Sequence, residues 1–228
     1  MIFAILLAGG SGSRLAGIPT PKQYLNLGGM TLLERVAATF LHHQSVDCLV
    51  VVVPPSDIEK VSLMFIESRK PVMVVPGGSS RQASSRSGVF ALQDNAGPED
   101  IVLIHDAARV LVTSDVIDRA IAALEGADAA TAAIKAQDTL MKASSDTSVG
   151  STIDRSDIIM AQTPQAFRYR VIKTAHERAV DLKVTDDVSL VLGTVPVRFF
   201  PGSPLNFKVT TNDDLLLLKA LIASEPRS

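Results

Sequence analysis

The first stretch able to do chemistry is Leu7-Ala8-Gly9-Gly10-Ser11-Gly12-Ser13-Arg14, which directly follows an apolar run. Glycines let a backbone approach a ligand without Cβ obstruction and turn N–H groups toward phosphate oxygens. The spacing is not a dinucleotide fingerprint, because counting G-x-G-x-x-G from Gly10 puts Leu15 at the last glycine. It also lacks the Gly-Lys-Ser/Thr step of a Walker loop. Instead Arg14 follows the turn, and Pro21-Lys22-Gln23 brings a second cation eight residues later. A glycine turn flanked by two cations suits a triphosphate whose charge must be neutralised during attack at phosphorus. A bare strand-to-helix turn with solvated cations is the plainer alternative. His105-Asp106-Ala107-Ala108-Arg109 closes a second apolar run. An aspartate there can hold Mg2+ or order a ribose, or simply cap a helix or pair with Arg109 at the surface. His105 reads as a structural histidine. The turn Gly77-Gly78-Ser79-Ser80-Arg81-Gln82-Ala83-Ser84 offers small hydroxyls that could read a base edge or cap a helix. Late in the chain, Gln162-Thr163-Pro164-Gln165, Thr185-Asp186-Asp187 and Asn206-Phe207-Lys208-Val209-Thr210 place hydroxyl, acid and cation groups beside turns. Lys208, read as lying on a short strand, is an odd choice for a core position and suits an active site or an edge-strand gatekeeper.

The elements that must position these groups follow from hydrophobic period. Strands are expected over 2–7, 48–53, 72–75, 101–104, 128–134 and 195–200. Helices are expected over 31–43, from Ser56 as cap through Phe65, from Gly77-Gly78 to about Gln93, and over 114–124, 169–180, 186–192 and 212–223. Thr211 and Asp214 have the spacing of a capping box. Continuous apolar strands separated by helices imply a mostly parallel sheet covered on both faces. The expected fold is therefore a doubly wound α/β domain, Rossmann-like, binding at the carboxyl ends of its strands near a switch point. The pattern breaks over 135–159, where polar, turn-rich sequence predicts a projecting β-hairpin arm, too small to fold alone. One domain plus an arm accounts for the chain.

Composition limits the partners. Of 228 residues, 46% are hydrophobic, enough for a packed core and against disorder. With 22 basic against 24 acidic side chains, the net charge of −2 argues against a nucleic-acid or anionic-membrane partner. Tryptophan is absent and tyrosines number two, so base-stacking platforms are scarce. A lone Cys48 in an apolar run supports neither disulfide nor zinc cluster, and a reducing cytoplasmic compartment is the expectation. The apolar N-terminus is too short for a membrane span and lacks the basic start of a signal peptide.

Taken in order, Ala8-Gly9-Gly10-Ser11-Gly12-Ser13-Arg14, Pro21-Lys22-Gln23-Tyr24, His105-Asp106-Ala107-Ala108-Arg109, Gln162-Thr163-Pro164-Gln165 and Asn206-Phe207-Lys208-Val209-Thr210 run through nearly the whole chain. This set resembles the 2-C-methyl-D-erythritol 4-phosphate cytidylyltransferases of non-mevalonate isoprenoid synthesis. It is also similar to their relatives, the ribitol-5-phosphate cytidylyltransferases, and Ala108 favours the former. The resemblance implies transfer of a cytidylyl group from CTP to the sugar-alcohol phosphate with Mg2+ and loss of pyrophosphate. It implies that Arg14, Lys22 and Lys208 stabilise charge, and that Ala8, Gly9, Gly10 and Gly12 approach the nucleotide. It further implies that Gly78 and Ser84 read cytosine, and that Asp106 and Ala107 lie near ribose and metal. Arg109, Thr139, Thr163 and Thr185 would hold the acceptor, with Arg155 supplied across a homodimer by the 135–159 arm. Val110, Ser79 and Val188 depart from the usual pattern without removing a cation or the metal aspartate. A non-catalytic nucleotide-binding protein of the same fold is the alternative of a different class.

Overall fold

The computed structural model describes residues 1–9, 20–179 and 184–224. In chain order the strands and helices are β1 (Ile2–Leu7), β2 (Asn26–Leu27), β3 (Met30–Thr31), α1 (Leu32–His42), β4 (Cys48–Val53), α2 (Ile58–Met64), β5 (Val72–Pro76), α3 (Arg81–Phe90) and β6 (Ile101–Asp106). They continue with α4 (Ser114–Ala122), β7 (Ala129–Lys135), β8 (Leu140–Ser145), β9 (Ser148–Ile153), β10 (Ile159–Arg168), α5 (Tyr169–Arg178), β11 (Val197–Pro201) and α6 (Asn212–Ser224). The main sheet has seven strands in the order β11-β7-β10-β6-β1-β4-β5. Its pairs are parallel except those of β10, which runs antiparallel to both β6 and β7. The sheet is thus mixed and mostly parallel, as the apolar runs implied.

Strands such as Cys48–Val53 are apolar throughout because both faces are covered. On β1, Ala4 and Leu6 face a core shared with Leu33, Val36 and Phe40 of α1 and with Val116, Ile117 and Ala120 of α4. Phe3, Ile5 and Leu7 face the other core, with Val89 of α3 and Ile172 of α5. β1 lies between β4 and β6, so the chain winds outward to β5 and then returns to β1's other side. The switch point falls at the carboxyl ends of β1 and β6, where an open α/β sheet binds ligands. At α1 the capping box is complete: Thr31 Oγ1 accepts from the Glu34 N–H at 3.1 Å, and the Glu34 carboxylate accepts from the Thr31 N–H at 2.7 Å. The Thr211–Asp214 box is present too, with bonds of 3.2 and 2.7 Å.

Four sequence expectations need correction. Ser56 does not cap α2. Residues 55–57 form a 3-10 turn after Pro54, and the Ser56 hydroxyl donates to the Asp57 carboxylate instead. The expected helix over 186–192 shortens to a 3-10 turn, Val188–Leu190. Gln165 Oε1 caps the Asp187 and Val188 N–H groups at its start, and Gly193, at a φ of 78°, ends the segment. Gln162-Thr163-Pro164-Gln165 is not beside a turn but inside β10, with a register shift against β7 there. Lys208 lies in an irregular segment, not on a strand.

The arm is present as an isolated two-stranded sheet of β8 and β9. Met141, Val149 and Ile153 on it are 56%, 67% and 40% exposed.

Candidate active site

A cavity of about 350 Å³ opens at the switch point, lined by Ala8 and Gly9 after β1, Gly78 and Ser84, Asp106 and Ala107 at the end of β6, Lys22 and Lys208. These residues come from five segments of the chain, and backbone bonds at the strand ends bring three of them together. The Ala8 N–H donates to Val52 O at 2.8 Å, Gly77 N–H to Val53 O at 2.7 Å, and Ala107 N–H to Leu7 O at 3.1 Å. The turns that leave four neighbouring strand ends are thereby pinned side by side. Gly78 must be glycine, since a Cβ there would sit 2.4 Å from the Ala83 Cβ. Ser84 Oγ accepts from the Gly78 N–H at 3.2 Å and donates to Ser80 O at 2.9 Å. Its hydroxyl therefore shapes the turn, while Ser80 caps α3 by accepting from the Ala83 N–H.

Lys208 is held by its neighbour. Val209 is buried with Leu215, Leu218 and Ile222 of α6, and its N–H donates to Ala108 O at 2.9 Å. Burying Val209 leaves the adjacent Lys208 half-exposed at the cavity, where its Nζ meets Asp106 Oδ2 at 2.7 Å. Lys22 Nζ donates to Val209 O at 2.9 Å, so the two ammonium groups flank one backbone segment. Val110, one of the departures, fills the same α6 cluster.

From Arg81 on the cavity wall a polar layer that sequence reasoning missed runs back to the buried Asp187. Arg81 Nε reaches Asp106 Oδ1 at 3.0 Å, and its Nη1 reaches Asp187 Oδ2 at 2.8 Å. Asp187 is 1% exposed and also accepts from Ser85 Oγ, with His176 Nε2 at 3.4 Å. Burial alone would raise the Asp106 carboxyl, but Arg81 and Lys208 beside it hold it well below the usual carboxylate range. The signal was available in α3. Arg81, Ser84, Ser85 and Gly88 share the spacing of one helix face, and that face carries polar or small groups where an apolar stripe would be ordinary. Gly88 permits the close approach, since a Cβ there would lie 2.6 Å from Ile5 Cγ2.

Other candidate residues do not line the cavity. Arg109 Nη1 donates to Asn206 O at 2.7 Å. Thr163 is buried, and its hydroxyl accepts from the Asp106 N–H at 3.1 Å and meets His105 Nδ1 at 3.0 Å. Thr139 and Arg155 are exposed at the base of the arm, where an Arg155 guanidinium N–H donates to Gln137 O. Thr185 is exposed. Gly10, Gly12 and Arg14 lie outside the described residues.

His105 is the structural histidine that the sequence suggested. Its Nε2 lies 3.0 Å from Arg109 O, a group that only accepts, so Nε2 carries the proton and Nδ1 accepts from Thr163. Burial pushes its pKa from 6.5 down to about 4. The folded chain thus resists a proton that the unfolded chain takes up, and stability falls as the pH drops through that interval. The expected loss is about 3 kcal/mol from about pH 7.5 to about pH 4, at about 1.4 kcal/mol per pKa unit. The unfolding free-energy gap between wild type and His105→Asn should shrink by that amount, and a gap independent of pH would contradict the assignment.

Among the described residues there is no cluster of three or more His, Cys, Asp or Glu side chains able to hold a metal ion. Asp106 is the acidic residue that lines the cavity. A lone carboxylate fits Mg2+ that arrives largely coordinated by substrate phosphates. No described helix is long and apolar enough to cross a membrane.

Known proteins match this chain along its length. The curated 2-C-methyl-D-erythritol 4-phosphate cytidylyltransferases of Syntrophus aciditrophicus and Geobacter metallireducens are 39% and 40% identical to it. The first aligns with 98% of this chain and 97% of its own, the second with 97% of each. The crystal structure of 4-diphosphocytidyl-2C-methyl-D-erythritol synthase from Anaerococcus prevotii superposes with a TM-score of 0.83 at 28% identity, covering 97% of this chain and 96% of that one. The profile of the IspD family, 2-C-methyl-D-erythritol 4-phosphate cytidylyltransferase, matches residues 2–224. With the switch-point cavity, its Gly78 turn and its paired lysines, this chain belongs to the IspD family of cytidylyltransferases.

Proposed function

We propose that the protein transfers a cytidylyl group from CTP to 2-C-methyl-D-erythritol 4-phosphate in non-mevalonate isoprenoid precursor synthesis, releasing pyrophosphate. The observation that carries this is the convergence of Lys22, Lys208 and Asp106 with Ala8-Gly9 and the Gly78 turn on one cavity. The acceptor phosphate is already an anionic nucleophile, so no activated side chain is required. One of its oxygens bonds to the α-phosphorus of CTP as the bond to the β-phosphate bridging oxygen breaks, and the electron pair leaves on pyrophosphate. The protein's part is position and positive charge. The backbone of Ala8 and Gly9 meets the phosphates, Gly78 and the Ser84-braced turn meet the cytosine, and Asp106 and Ala107 lie by the ribose. Lys22 and Lys208 supply charge to the phosphates, with Arg14 as a third cation.

Mg2+ is part of the proposal and would neutralise phosphate charge when bound, with Asp106 as its protein ligand. The homodimer is too: an arm exposed along β9, with Met141 and Val149 open to solvent, suits a partner subunit, and Arg155 at its base would reach that subunit's acceptor. Arg109, Thr139, Thr163 and Thr185 complete the acceptor side, Thr163 from behind the Asp106 N–H. A cytoplasmic setting is part of the proposal, supported by a single cysteine, Cys48, that is buried and free. The decisive experiment is pyrophosphate release by purified protein with CTP, Mg2+ and either methylerythritol phosphate or ribitol phosphate. Turnover should favour the methylerythritol ester. Preference for ribitol phosphate would reassign the acceptor, and CTP binding without release would leave a non-catalytic binding protein.

A further inference from the structure

A line of alternating charge runs from the interior to the cavity: Asp187, Arg81, Asp106, Lys208. Its inner end is fixed, because Asp187 is 1% exposed and is gripped by Ser85, His176 and, through its own N–H, by Gln165. Its outer end, Lys208, has 37% of its side chain exposed and is free to turn toward a ligand. Arg81 stands between, each carboxylate taking a different nitrogen of its guanidinium. The planar fork holds both at once, which a single ammonium could not do in the same geometry. The consequence falls on Asp106, since Arg81 occupies Oδ1 and leaves Lys208 only Oδ2.

We infer that Arg81 is a positioning residue: it divides the Asp106 carboxylate so that Lys208 is held at the cavity by one oxygen and can still be given up to a phosphate. Without Arg81, both oxygens of Asp106 turn to Lys208, and the ammonium is drawn back onto the protein. Binding of the nucleotide through the glycine turns would persist, while charge stabilisation during transfer would fall. This inference rests on the proposed cytidylyl transfer for its kinetic readout.

The test compares wild type, Arg81→Met, Arg81→Lys, Lys208→Ala and the double variant Arg81→Met/Lys208→Ala, by pyrophosphate release and thermal unfolding. Arg81→Met should lower kcat by up to about 10²-fold, the scale of a misplaced group, with KM for CTP within about threefold, and Arg81→Lys should restore part of the loss. In the Lys208→Ala background the Arg81 change should cost less than about threefold, because coupled residues are not additive. Full additivity, a matching rise in KM, or unchanged kcat would each overturn the inference. Should Arg81→Met fail to fold with Asp187 left unpaired, Arg81→Met/Asp187→Asn removes both buried charges and must show the same fall in kcat. Should wild type release no pyrophosphate, the transfer reading falls by itself. Arg81 is then read from the rate at which an amine-acylating reagent modifies Lys208, slower in Arg81→Met if the inference holds and unchanged if it does not.

Discussion

Lys208→Ala is expected to lower kcat for pyrophosphate release by about 10²- to 10³-fold, the usual effect of removing one donor aimed at developing charge. The substituted protein should fold normally. Lys208 is half-exposed, the buried anchor of its segment is Val209 rather than Lys208, and Asp106 keeps Arg81 as a partner. KM for CTP should move far less than kcat, because more than half of the residues lining the cavity are glycine, alanine or serine and would be unaltered by the substitution. Lys219→Ala makes the control. It removes the same charge from an exposed position of α6 and should leave both constants unchanged. If the two variants behave alike, Lys208 acts through net charge and not through its place at the cavity.

Asp187→Ala is expected to destabilise the fold by about 3–5 kcal/mol, the cost of breaking a buried ion pair from one side. The loss is large because three donors converge on this buried carboxylate, from Arg81, Ser85 and His176, and Ser85 and His176 are themselves buried. Burial by itself would raise the Asp187 carboxyl, but the His176 bond and the Arg81 guanidinium hold it below the usual range, so it stays ionised and must stay paired. Its neighbour offers a calibrated contrast. Asp186 accepts from the Ser189 N–H at 2.9 Å in an exposed turn, so Asp186→Ala should cost about 1 kcal/mol, as the loss of a cap does. Denaturant unfolding of the two variants measures both values. A loss below about 1 kcal/mol at Asp187 would mean that the layer behind the cavity relaxes freely.

The legible parts of this protein share a physical cause. Ile2–Leu7 and Cys48–Val53 emerge at their observed bounds, because strands buried on both faces are apolar without interruption and end at glycine or proline. Thr211 with Asp214 is legible because a cap joins residues three apart. β10 was hidden, since its centre, Gln162-Thr163-Pro164-Gln165, has the composition of a turn. Its polar groups are satisfied by partners far along the chain: Gln162 by Ser203, Thr163 by the Asp106 N–H and His105, Gln165 by Asp187 and Val188. Polar residues in a strand interior look wrong until those partners are known.

The sequence by itself determined the α/β class, the glycine turns, the hairpin arm and the cations suited to a triphosphate, all of them carried by local period, local composition or a run of motifs. What the tertiary structure alone decided is which of these meet. It joined Lys22, Gly78, Asp106 and Lys208 at the β1–β6 switch point and left Arg109, Thr163 and Thr185 off the cavity wall. It also paired Arg81 with Asp187, 106 positions apart. Charge at a site is a sum over distances in space, and sequence separation holds no information about those distances until the sheet order is fixed.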